Sequence, residues 1–189
     1  MALILKKVTD ILTEVRDTLQ DQQQSRWTEQ ELFRYLDQGV RNIAVATRYN
    51  KVTDKLKVND SLSAYPTNSL TLTQEAIEFY KITANQPHEI IDARTILFPD
   101  NTEEEVEIEY YAYPPRVVYG AATELLLDED LYDAVRYFIL YRAYQKEASA
   151  ENISKAQYFK GEYGNILTMN ATRWHGKFEV ESTRTAFFR

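Results

Sequence analysis

The sequence predicts a mainly α protein: a four-helix bundle core, a β-rich insertion between the second and third helices, and an extended C-terminal tail. Three observations carry this. Four stretches, about 3–20, 28–47, 129–148 and 151–169, repeat apolar residues at the three-and-four spacing of one helix face. From 51 to about 118 the pattern becomes short and alternating, and all five prolines fall there. From 171 to 189 no helical period remains. The 189 residues suit one domain. We therefore expect residues 1–170 to form a single helical domain and residues 171–189 its tail.

In the first helix Leu5, Val8, Leu12, Val15 and Leu19 form a seam suited to packing on other helices. Asp21 to Ser25 is a polar break. The second helix opens on a local signature. Thr28 with Glu31 three residues later reads as a capping box, and Trp27 with Leu32 as a hydrophobic staple. Leu32, Leu36, Val40, Ile43 and Thr47 continue one face. Gly39 inside this helix costs about 1 kcal/mol against alanine, which points to a close helix contact there. In the insertion, Leu70 to Thr73, Glu78 to Thr83, Glu89 to Phe98 and Glu105 to Tyr113 read as strands of one small antiparallel sheet. The turn at Pro99–Thr102 predicts that Arg94–Phe98 pairs with Glu105–Tyr111 as a hairpin.

Asp128 is an N-cap candidate for the third helix, and Glu129 and Asp130 put negative charge where a helix start favours it. Leu131, Ala134, Val135, Phe138, Ile139 and Ala143 form its apolar face. Ile153, Ala156, Phe159, Tyr163, Ile166 and Leu167 form that of the fourth. The break at Ser149–Asn152 is short enough for an antiparallel helix hairpin. Neither face hides itself, so other segments must cover the pair.

Composition excludes several functions. There is no cysteine, hence no disulfide, thiolate metal site or cysteine nucleophile. Lys6 and Lys7 follow the apolar start instead of preceding it, the wrong order for a signal peptide. No apolar run approaches the roughly 20 residues of a membrane helix. A net charge of −7 argues against general nucleic-acid binding, which needs a basic footprint. His88 and His175 have no partner at a spacing that implies a catalytic triad, and no glycine-rich loop or ligand cluster is present. We expect no catalysis, no cofactor and no metal.

Fourteen tyrosines exceed what a core of this size needs and suggest half-buried contact surfaces. Tyr137, Tyr141 and Tyr144 recur at four and three, opposite part of the main stripe of the third helix. They fit a second packed helix face or, equally well, a face met by another subunit. Glu105, Glu107 and Glu109 share one side of a strand and fit a solvated face first. The tail carries Trp174, Phe178, Phe187 and Phe188 with Arg173, Lys177, Arg184 and Arg189. It holds a balance of +2, leaving −9 on the rest. Aromatics with arginines anchor protein interfaces. Two terminal phenylalanines left in water would invite aggregation, which favours docking.

The order of these motifs resembles a known family. Arg26-Trp27, Leu32, Tyr35-Leu36 and Gly39 come first, then a β-rich block ending in Tyr113-Pro114-Pro115. Asp133-Ala-Val-Arg-Tyr137, Tyr141-Arg-Ala-Tyr-Gln-Lys-Glu-Ala148, Asn152, Ala156 and Phe159 follow. This is similar to the head-to-tail adaptor, or connector, proteins of tailed bacteriophages, although the family often has Asn in place of Asp37. The resemblance implies a virion protein, assembled in the host cytoplasm, that forms a homo-oligomeric ring, commonly of twelve. The ring would bind the portal protein above and tail or nozzle proteins below, and pass DNA without binding it specifically. It implies portal docking by the tail through Arg173, Trp174, Phe178, Arg184, Phe187, Phe188 and Arg189. In such a ring Tyr137, Tyr141 and Tyr144 are candidates for subunit contacts, and Glu105, Glu107 and Glu109 for a lumen-facing acidic strand as the second reading of that face. A head-completion or tail-terminator protein elsewhere on the same axis is the alternative. A DNA-packaging accessory protein is the rival of a different class.

Overall fold

The computed structural model describes residues 3–57, 69–84, 88–98, 105–120, 124–146 and 149–175. In chain order these form β1 (Leu3–Lys7), α1 (Val8–Leu19), α2 (Glu29–Thr47), β2 (Lys51–Lys57), β3 (Ser69–Thr71) and β4 (Ala76–Thr83). Then come β5 (Glu89–Ile90), β6 (Thr95–Leu97), β7 (Glu105–Ala112), β8 (Glu124–Asp128), α3 (Glu129–Lys146) and α4 (Ala150–His175).

The helices pack around α3, and one apolar core fills their centre. Val8, Ile11, Leu12, Val15 and Leu19 of α1 are buried there with Leu32, Leu36, Val40 and Ile43 of α2. Leu131, Val135 and Ile139 of α3 and Ala156 of α4 complete it. The start of α2 forms as its local sequence dictates. Thr28 Oγ1 accepts the Glu31 N–H at 3.2 Å, and Trp27 and Leu32 are both fully buried. The Glu31 carboxylate does not return to the cap; it accepts from Tyr35 Oη at 2.9 Å and pairs with Lys146 at 2.8 Å. The α3–α4 hairpin is capped by Ser149, whose Oγ accepts the Asn152 N–H and whose carbonyl accepts that of Ile153.

Gly39 is indeed a close contact. A methyl group there would lie 2.9 Å from Cδ1 and 3.3 Å from Cγ of Phe138, a ring only 6% exposed. Gly39→Ala gains about 1 kcal/mol of helix propensity but overpacks at a cost of about 1–3 kcal/mol. The expected net result in urea denaturation is a modest loss. With Phe138→Leu in the background, the same substitution should turn neutral or stabilising. Stabilisation by Gly39→Ala alone would show that the contact does not limit packing.

The fold is not a plain four-helix bundle. Eight strands in three sheets accompany the four helices among the described residues, so the class is mixed α and β. Residues 3–7, expected to be the first turns of helix one, are β1, paired antiparallel with β8 from Leu3↔Asp128 to Lys7↔Glu124. Leu5 extends the heptad spacing by coincidence: it is 57% exposed, whereas Val8 is 1% exposed. The insertion is not one sheet but two, ordered β2-β7-β4 and β3-β6-β5, over a second core that includes Leu72, Ile96, Phe98, Val106, Ile108 and Tyr110. The expected hairpin is also corrected. Thr95–Leu97 pairs with β3 and β5, and Glu105–Ala112 lies between β2 and β4. Alternation sets which face a strand buries but not which strand lies beside it. Finally, α4 runs through His175. The backbone at Arg173 and Trp174 is therefore helical, and residues 176–189, with Phe178, Arg184, Phe187, Phe188 and Arg189, lie outside the described residues.

Candidate assembly surfaces

The α3–α4 seam gathers the tyrosines singled out from sequence. Tyr144 is 7% exposed, stacks on Phe159 with ring centres 5.8 Å apart, meets Trp27 edge-on at 6.4 Å, and donates to the Thr18 carbonyl at 3.4 Å. Tyr137 also stacks on Phe159, at 5.8 Å, and Tyr141 meets Phe138 edge-on at 6.0 Å; both are half-buried. The helix spacing that put the three on one stripe is thus mostly answered by α4 of the same chain. Tyr137 and Tyr141 keep an exposed rim. Beside Tyr141 a shallow pocket of about 250 Å³ is lined by Gln145, Ile153, Ala156, Gln157 and Lys160. Tyr163, half-buried in the same seam, has its hydroxyl pKa pushed up to about 12 by burial.

The second surface lies along α2 and was not foreseen. The segment 113–120 leaves β7 and runs beside this helix. Asp37 holds it there: one carboxylate oxygen accepts the Val117 N–H at 3.0 Å, the other pairs with Arg116 at 2.8 Å. Tyr119 then meets Phe33 edge-on at 5.4 Å. A groove of about 750 Å³ results, lined by Phe33, Arg34, Asp37, Val117, Val118 and Tyr119 among others. Val118 and Tyr119 remain 58% and 53% exposed. An asparagine at 37 would still accept the Val117 N–H but would lose the charge that draws Arg116.

On β7 the three glutamates do share a side, and β2 supplies cations to it. Glu109 pairs with Lys51, Glu107 pairs with Lys55 at 2.9 Å, and Glu105 stands opposite Lys57 in register. The Glu107 carboxylate also raises the Lys55 pKa, first through their hydrogen bond and then through charge. This face carries matched charge across the two strands. His88 is exposed, 6.0 Å from the Phe98 ring.

Two buried carboxylates complete the inventory. Asp54 accepts from the Thr73 N–H and hydroxyl and from Tyr110 Oη, all at 2.9 Å. It ties the 72–75 segment to the β2-β7-β4 sheet. Burial is the largest cause of the raised Tyr110 hydroxyl pKa, and the Asp54 carboxylate adds to it. Asp21, in the break between α1 and α2, accepts the N–H groups of Ser25, Arg26 and Trp27 at 2.9–3.2 Å, the Ser25 hydroxyl at 3.0 Å, and Arg16 at 3.4 Å. Among the described residues no group of three His, Asp or Glu side chains converges as a metal site, and no helix is long and apolar enough to cross a membrane. The surfaces offer contact chemistry: half-exposed aromatics beside paired charges.

No curated protein matches the chain. The family model described as the SU10 adaptor protein matches residues 6–181, from β1 through both helical pairs and the β-rich block. Such adaptors are structural components of phage virions, which agrees with the order of motifs from Trp27 to Phe159. The chain belongs to the SU10 adaptor protein family, the phage head-to-tail adaptors.

Proposed function

We propose that this adaptor forms a ring, of twelve copies as such connectors commonly do, between the portal and the tail of a phage particle. The observation that carries the reading is the family match over residues 6–181. The ring passes DNA through its centre and presents a lower surface to tail or nozzle proteins. The negative balance of the body favours this role, since a lumen rich in bare cations would hold phosphates and slow their exit. If β7 lines that lumen, Glu105, Glu107 and Glu109 present it with carboxylates already opposed by lysines. Neighbouring copies meet through the exposed rims of Tyr137 and Tyr141, while Tyr144 secures α4 within each copy.

The C-terminal segment docks on the portal. α4 carries the chain to Arg173 and Trp174, and Phe178, Arg184, Phe187, Phe188 and Arg189 follow as anchors of the type that dominate interface energies. Each contact is modest, and the ring multiplies it. Native mass spectrometry tests both parts. The chain alone should be a monomer or weak oligomer, and a ring should form when purified portal is added. A tight dimer that shifts DNA on a gel would instead favour a packaging accessory protein. Removing residues 176–189 should leave the circular-dichroism melt unchanged and weaken portal binding at least about tenfold, the scale of losing one or more interface anchors. A truncated chain that binds portal normally would remove the tail from this role.

A further inference from the structure

Among the described residues, all the buried apolar residues except Ala44, Tyr111 and Phe138 fall into either the helical core or the core of the insertion, and these two cores are separate. We propose that the described strands of the insertion, β2 to β7, with Asn50 and Tyr113, turn as a unit on the helical body about two short chain crossings, with Arg41 of α2 and Arg48 at its C-cap as latches.

The crossings are sharply bounded. At the first, Arg48 ends α2 in the left-handed region, φ 52°, and Tyr49 packs against the helical core. The next residue already belongs to the insertion: Asn50 donates from Nδ2 to the Ala112 carbonyl at 3.1 Å and accepts the Ala112 N–H at 2.9 Å. These bonds extend the β2–β7 ladder by one residue. At the second crossing Tyr113 donates its N–H to the Glu75 carbonyl at 2.9 Å, inside the insertion, whereas Arg116 and Val117 are bound to Asp37 of α2. Only Pro114 and Pro115 lie between. Proline fixes its own φ, so this strut resists stretching. Two fixed crossings leave rotation about the line joining them as the soft motion.

The insertion moves as one piece because its two sheets share a core and Asp54 ties the 72–75 segment to β2 and β7. Glu75 is therefore rigidly part of it. Among the described residues, charged contacts cross the joint. Arg48 Nε pairs with Glu78, Arg41 lies 3.6 Å from Glu75, and the Arg41 guanidinium covers the Tyr113 ring at 4.1 Å. Both carboxylates are about half exposed, at 48% and 52%. Such pairs hold an orientation weakly and are screened by salt, and a small polar contact between units permits relative motion. A hinged insertion lets the body keep one set of neighbours while the β unit adjusts to another surface.

The absence of native cysteine makes the test direct. Val45→Cys on α2 and Thr83→Cys at the end of β4, both exposed sites, take spin labels in the full chain. Double electron–electron resonance then reads the distance between body and insertion. Arg41→Ala with Arg48→Ala should broaden this distribution roughly twofold as the minor orientation becomes populated. Salt at about 1 M, where screening acts within about 3 Å, should broaden it in the chain with both arginines intact. A body-only pair, Val45→Cys with Asn165→Cys, should not change. An unchanged distribution under both treatments would overturn the proposal, as would equal broadening of the body-only pair. The measurement uses the chain alone, so it stands or falls separately from ring formation.

Discussion

Asp21→Ala is expected to destabilise the protein by about 3–5 kcal/mol, the cost of leaving a buried charge without its partner. The residue is 2% exposed and Arg16 is 8% exposed. Arg16 NH1 also donates to the carbonyls of Asp21 and Trp27 at 3.2 Å, while its NH2 already lacks an acceptor. Removing the carboxylate strips the guanidinium of its counter-charge and orphans the N–H groups that fix residues 25–27. Urea denaturation monitored by circular dichroism measures the loss; a change under 1 kcal/mol would mean the loop holds its shape by other contacts. Asp21→Asn should cost less, since it keeps one acceptor oxygen.

The pH dependence follows from the same geometry. Burial pushes the Asp21 pKa up, but the hydrogen bonds from Trp27, Arg26 and Ser25 outweigh it, and the net value lies below 3.8. A lowered folded pKa means that the stabilisation is fully present above the unfolded value and is lost as pH falls through the folded one. Glu31 behaves alike: burial raises it, and Lys146 and Tyr35 bring it below 4.5. Stability should therefore hold down to about pH 4.5 and fall below it, with Asp21→Asn flattening the most acidic part of that fall.

Trp27→Ala is expected to cost about 3–5 kcal/mol as well, for a large side chain removed from a closed core. Trp27 is fully buried, and its Nε1 donates to the Ala143 carbonyl at 3.1 Å. It thereby joins the start of α2 to the end of α3, where Tyr144 meets it edge-on. Trp27→Phe keeps most of the packing and should lose about 1 kcal/mol with the hydrogen bond. Because the Trp27 N–H is itself held by Asp21, the double variant should lose less than the sum of the single losses. Simple additivity would show that the loop and the indole act independently.

Both residues bear on what could be read in advance. Trp27 was legible because its signature is local: a cap, a staple and an apolar stripe within a few residues are all set by helix geometry. Gly39 was legible for the same reason, as a residue whose cost in a helix needs an explanation. Asp21 was not. In sequence it opens a polar break, and nothing there distinguishes a solvated aspartate from one that collects three backbone N–H groups and an arginine. The Asp37 latch spans from α2 to Val117, and the Asp54 network joins β2, Thr73 and β7. Neither leaves a pattern along the chain.

What the sequence determined by itself was the order and kind of the helical pairs, the presence of a β-rich block between them, and the family that this order belongs to. The helices and the β-rich block rest on periodicity and capping, which act over a few turns of chain; the family rests on the resemblance in motif order and on the family match. Only the tertiary structure decided that residues 3–7 are a strand, that the insertion makes two sheets, and that α4 answers most of the tyrosine stripe. Those outcomes depend on partners far away in sequence. Leu5 pairs with Leu126, and a heptad spacing cannot reveal a hydrogen-bonding edge that another segment supplies. Short-range geometry is written along the chain; the choice of neighbour is made only when the chain folds.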